Sequence, residues 1–166
     1  MLNRSIPTAR SISTRAWERK DVAASSAQIV WNDTYLTTEQ QRWISEADTF
    51  FIASCHPKGG VDASHRGGHP GFARVLNERL LAWPDYSGNM MFQTLGNIAV
   101  NPNAGLLFMD FERGTTFQLT GRAEIIWGTE RTAAFSGAER VVAFQIDRAI
   151  AIENATALRW RVLDRP

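Results

Sequence analysis

The chain has 166 residues, 44% hydrophobic and 21% charged, with a formal net charge of +1. That is the size of one globular domain with enough chain to bury a core unaided, and it excludes a global field that would draw the protein to nucleic acid or an anionic membrane. The single cysteine, Cys55, excludes an internal disulfide and fits a reducing, cytoplasmic setting, and no apolar run approaches the ~20 residues of a membrane helix.

Residues 1–35 read as a basic N-terminal extension, and residues 36–166 as the folded domain. Met1 to Lys20 carries Arg4, Arg10, Arg15, Arg19 and Lys20 against one acid, Glu18. Transit peptides and disordered basic leaders share that composition, and the plainer leader is preferred. Thr37-Thr38-Glu39-Gln40 is a capping box that opens a helix with Trp43, Ile44 and Ala47 on its buried stripe. Asp48 to Cys55 is apolar and aromatic and predicts a buried strand. His56 to Gly60 is turn chemistry, and Val61 to Ser64 returns as the second arm of a hairpin. His65-Arg66-Gly67-Gly68-His69-Pro70-Gly71 then reads as a glycine-rich loop. Ala73 to Leu76 and Leu80 to Trp83 predict another hairpin, turning at Asn77 to Arg79.

Pro84 to Asn89 reads as a second irregular loop, followed by a short helix from Met91 to Val100 that stops before Pro102. Ala104 to Phe111 is apolar nearly throughout, as expected of a central strand covered on both faces. After a turn at Glu112 to Gly114, residues Thr115 to Trp127 alternate. Phe117, Leu119 and Ala123 fall on one face, and Thr116, Gln118, Thr120 and Arg122 on the other. Thr129 to Phe135 predicts a short helix, and Val141 to Ile152 and Leu158 to Val162 predict strands. About seven short strands joined by tight turns, with two or three short helices, point to a mainly β, antiparallel barrel rather than a βαβ fold.

Few residues form a chemical signature. His56, His65 and His69 are near one another, but no Cys or acid repeats around them at metal-ligand spacing, so no metal is expected. No nucleophile elbow or phosphate-loop consensus is present, and no catalytic residue is assigned. No element carries a basic stripe, which argues against nucleic acid. Two segments remain. Ser64-His65-Arg66-Gly67-Gly68 sets a hydroxyl and a phosphate-matching guanidinium beside two glycines that allow close backbone approach. By itself it reads more readily as a solvated loop with an exposed arginine. The polar face of Thr116, Gln118, Thr120 and Arg122 is the other candidate, against the reading that it simply meets water.

Taken in order, FFIASCHPKGGVDASHRGGHPGFARVL, LAWPDYSGNMMFQTLGNIAVNPNAGLLFMDF and FQLTGRAEIIW resemble the FMN-binding split barrels related to pyridoxamine 5'-phosphate oxidase. The pieces that carry the likeness are Asp62 to Gly68, Gly88-Asn89 with Leu95-Gly96-Asn97, Asn101-Pro102 with Gly105 to Phe108, and Leu119 to Ala123. The resemblance implies a six-stranded split barrel that forms a homodimer, with one FMN in each of two interface clefts. By position it implies that Ser64, Arg66 and Gly67 run along the flavin and its phosphate. Asp85 to Asn89 would close over the phosphate, with Thr94 to Asn97 beside it. Thr116 and Gln118 would face the ring from the partner subunit.

Two departures from the family pattern shape the functional expectation. The vitamin-processing oxidases carry a basic pair where this chain has Asn89-Met90-Met91, so the phosphate is left to Arg66, to Arg74 as second candidate, and to backbone N–H groups. The chain also lacks their longer substrate-binding tail, so activity on pyridoxamine phosphate is not expected. The expectation is an FMN-dependent oxidoreductase acting on an unassigned small-molecule substrate. The alternatives are a non-catalytic binder of flavin, deazaflavin or haem, with His65 or His69 as haem ligand, and a cofactor-free dimeric module.

Overall fold

The computed structural model describes residues 27–87, 92–128 and 132–157. In chain order the elements are β1 (Gln28–Asp33), α1 (Thr38–Glu46), β2 (Thr49–Cys55), β3 (Val61–Gly67), β4 (Arg74–Asn77), β5 (Leu80–Asp85), α2 (Gln93–Val100), β6 (Asn103–Asp110), β7 (Thr115–Ile126) and β8 (Arg140–Glu153). The mainly β, antiparallel class is as expected. The strand count is eight rather than six or about seven. One sheet runs β3-β2-β6-β7-β8-β5-β4, and β1 also pairs with β8. The stretch expected to be an extension therefore contributes a strand near its end: Gln28 to Asp33 lie against Glu153 to Ala149. Among the described residues no helix is long and apolar enough to cross a membrane.

Local chemistry accounts for the two helices. The Thr37 hydroxyl accepts from the Gln40 amide at 3.3 Å, and the Gln40 side chain accepts from the Thr37 amide at 2.9 Å, so the capping box forms in full. It satisfies two N–H groups the first turn leaves open. Ile44 is fully buried, and Trp43 stacks on Phe117 with ring centres 5.8 Å apart. Helix α2 has no side-chain cap, because its N-cap is Phe92. It is held by burial of Leu95 and Ile98 and ends where Pro102 forbids continuation. The helix expected at Thr129 to Phe135 and the strand expected at Leu158 to Val162 fall partly or wholly outside the described residues.

The core gathers on one face of the sheet. Phe50 packs against Trp83 at 5.2 Å, Phe108 at 5.1 Å and Phe72 at 5.7 Å, measured between ring centres. Phe50, Phe108, Phe117 and Phe144 are each no more than 1% exposed, and burying each such side chain contributes about 1.5–3 kcal/mol. Where β8 slips one residue against β7, Gly121 passes so close to Gln145 that an added Cβ would lie 2.1 Å from the Gln145 carbonyl oxygen. Only glycine fits that approach.

Register assigns every side chain to a face, since directly paired residues on antiparallel strands point the same way. Ser64, Ile52, Leu106, Leu119 and Ala149 form one row across β3, β2, β6, β7 and β8, and the last four are core residues. One residue along, His65, Phe51, Leu107, Gln118 and Ile150 form a row on the outer face. Strand β6 accordingly alternates between buried and half-buried residues instead of being covered on both sides in the single chain. His65 and Arg66 belong to β3, not to a loop. Pairing with Phe51 and Phe50 extends the strand to Gly67.

Candidate functional site

Asp62, Ser64 and Arg66 alternate along β3 on its inward face, where α2 crosses. The Ser64 hydroxyl lies 2.7 Å from the Thr94 hydroxyl. Thr94 donates to Asp62 Oδ2 at 2.5 Å, and Ser64 donates to the same oxygen at 3.0 Å. One step along, where Ser54 pairs with Asp62, the Asn97 amide donates to the Ser54 hydroxyl at 3.1 Å. Three residues singled out from the sequence, Ser64, Thr94 and Asn97, thus share one polar seam. Two of its members, Asp62 and Ser54, were not singled out. The signal for Asp62 was its place two residues before Ser64 on an extended strand, which puts both on one face.

Arg66 follows on the same face. Its guanidinium donates to the His65 carbonyl at 2.9 Å, and among the described residues no carboxylate pairs with it. The glycines after it serve packing. An added Cβ on Gly67 would meet the His65 ring at 2.7 Å, and one on Gly68 would meet Phe72 at 2.8 Å. The Gly68 N–H is already bonded to the Asp48 carbonyl at 3.0 Å. That amide is therefore not open to a ligand. Arg74, the second cation considered, lies over the Phe135 ring at 4.1 Å.

Asp85 is held by an arginine from β8. Its carboxylate accepts from Arg140 Nε at 2.8 Å, with the two side chains only 19% and 11% exposed. Arg140 also reaches Glu139 at 2.6 Å and sits over the rings of Phe92 at 5.2 Å and Trp127 at 5.5 Å. One guanidinium thereby joins the end of β5 to the residue that precedes α2. Arg140 is a contact residue that local patterns did not reveal. Asn89 lies outside the described residues.

Thr116 and Gln118 occupy the outer face, on the far side of the sheet from Ser64. Gln118 is exposed. Thr116 is 8% exposed, and its hydroxyl is buried with no hydrogen-bond partner among the described residues. Around them are Leu107 and the exposed ring of Phe51, against which His65 packs at 5.8 Å. The His65 ring also contacts the Thr49 hydroxyl. Among the described residues no three His, Cys, Asp or Glu side chains gather as metal ligands. Within one protomer, Ser64 and Gln118 cannot face the same ligand.

A sequence model of one family, described as pyridoxamine 5'-phosphate oxidase, matches residues 36–162. No curated protein matches the chain in sequence. Among solved structures, HupZ of Group A Streptococcus is similar with a TM-score of 0.56 at 13% identity, covering 76% of this chain and 100% of that one. General Stress Protein 26 of Bacillus anthracis gives 0.52 at 12% identity, covering 74% and 97%. An FMN-binding protein from Syntrophomonas wolfei gives 0.50 at 9% identity, covering 73% and 87%. At such identities the likeness is one of fold.

Proposed function

The chain belongs to the pyridoxamine 5'-phosphate oxidase family, and on that premise we propose that it is a homodimeric, FMN-dependent oxidoreductase whose clefts are each built from two protomers. The observation that carries this reading is the opposition of faces. Ser64, Thr94 and Arg66 lie with the inner face, and Thr116 and Gln118 lie on the outer one, so a cofactor touching both sets needs a second copy of the chain.

The residues fit the group. Arg66 offers a guanidinium fork with no carboxylate partner among the described residues, suited to a phosphate dianion. Gln118 offers an amide that both donates and accepts, as a flavin ring edge requires. The orphaned Thr116 hydroxyl supports closure of this face on assembly, since a buried hydroxyl without a partner costs about 1–3 kcal/mol. Bound FMN would supply the electron transfer, for which side chains alone are unsuited. The chain's own task is then to bind, orient and exclude water. No acid or base cluster is required, and none is assigned here. The substrate is a small molecule, and the lone free cysteine supports a reducing, cytoplasmic setting.

Titration with FMN, followed by flavin fluorescence, tests the reading together with light scattering. Saturable binding of one FMN per protomer to a particle of dimer mass is expected. A monomer that leaves FMN fluorescence unchanged at micromolar concentrations overturns it.

A further inference from the structure

We infer that Asp62 sets the polarity of this site, so that Ser64 receives a hydrogen-bond donor of the ligand and the phosphate lies at Arg66. The inference rests on the flavin reading and assigns the direction in which the cofactor runs along β3.

The argument is a proton count. Three oxygens, Asp62 Oδ2, Ser64 Oγ and Thr94 Oγ1, form a triangle with sides of 3.0, 2.5 and 2.7 Å. The two hydroxyls bring two protons, and an ionised carboxylate brings none. Both hydroxyls can donate to Asp62, or one hydroxyl can donate to the other while that other donates to Asp62. In each arrangement both protons lie inside the triangle. Three contacts share two protons, so each arrangement leaves one contact without a proton, and turning either proton outward would leave two such contacts.

Thr94 is 4% exposed, so Ser64 is the member that meets a ligand. It does so with lone pairs only. A neutral donor suits it, such as a hydroxyl of the sugar-alcohol chain of a flavin. A phosphate oxygen does not, because it brings another acceptor and a negative charge beside the Asp62 carboxylate. Two residues farther on, about 6.6 Å along the strand, Arg66 presents the opposite chemistry on the same face. The phosphate end therefore belongs at Arg66 and the hydroxyl-bearing chain at Ser64. Asp62 touches no ligand in this account. It acts through the two hydroxyls as a positioning residue.

The test compares FMN with riboflavin, which lacks the phosphate, using dissociation constants from fluorescence titration. Ser64→Ala should weaken both by the same factor, about tenfold, the scale of one hydrogen bond. Arg66→Ala should weaken FMN about tenfold to a hundredfold and leave riboflavin nearly unchanged. Asp62→Asn removes the charge and brings an amide N–H that donates to one hydroxyl, whose own proton then turns to the ligand, and it should shift selectivity about tenfold toward FMN. Selective loss of FMN in Ser64→Ala overturns the assignment. So does an Asp62→Asn protein that loses both flavins equally or loses FMN more. Should Asp62→Asn fail to fold, the Ser64 and Arg66 pair decides alone. A wild-type protein that binds neither flavin ends the flavin reading itself, and this shows before any substitution is made.

Discussion

The inner and outer faces of the central sheet, one residue apart along every strand, differ in how complete they are. On the inner face the polar seam is satisfied: Ser64 and Thr94 bond Asp62, and Asn97 bonds Ser54. On the outer face Thr116 has a buried hydroxyl with no partner among the described residues, Gln118 is exposed, and Phe51 and Val61 are left 38% and 79% exposed. A finished face and an unfinished one on the same strands are what the proposed homodimer requires. Buried polar groups are normally satisfied, and exposed apolar residues set among polar ones mark contact surfaces.

Neighbours on β2 provide the largest contrast. Phe50→Ala, on the inner face, should cost about 3–5 kcal/mol in chemical denaturation. Phe51→Ala should change protomer stability far less while raising the dimer dissociation constant in sedimentation. Equal effects on both properties would erase the distinction between faces. Next comes Arg140→Ala, which strips a largely buried ion pair and should cost about 1.5–3 kcal/mol. It should also weaken FMN, because the end of β5 and the start of α2 lose their common anchor. Thr116→Val should raise the stability of the cofactor-free protein by about 1 kcal/mol, since it removes an unsatisfied hydroxyl. A fall of that size would mean that the hydroxyl has a partner. Smallest in stability is Gln118→Ala, expected within about 0.5 kcal/mol of the parent. Its effect should instead be a weaker hold on FMN and riboflavin alike.

What could be read from the sequence was local. The capping box at Thr37, the β4–β5 hairpin and the alternation of β7 are written in adjacent residues, and each formed as expected. Nonlocal pairing accounts for what was missed. Gly67 and Gly68 read as loop chemistry, but pairing with β2 carries β3 through His65 and Arg66. Ala104 to Phe111 read as covered on both faces because Leu107 and Met109 are apolar on the side that the single chain leaves half open. The Asp85–Arg140 pair was not legible, because Arg140 lies 55 residues away and becomes a neighbour only when β5 pairs with β8. Asp62 counted only as part of the segment that carries the likeness, because its contact with Thr94 depends on where α2 lands.

The most direct test of a site shared between protomers is a mixed dimer. One protomer carries Arg66→Ala and the other Gln118→Ala, and FMN binding to the purified heterodimer is counted. If each cleft takes Arg66 from one chain and Gln118 from the other, one cleft holds both lesions and the second holds neither. The account predicts half the sites at wild-type affinity. If each cleft belongs to a single chain, both clefts are damaged and no wild-type site appears, which would contradict it.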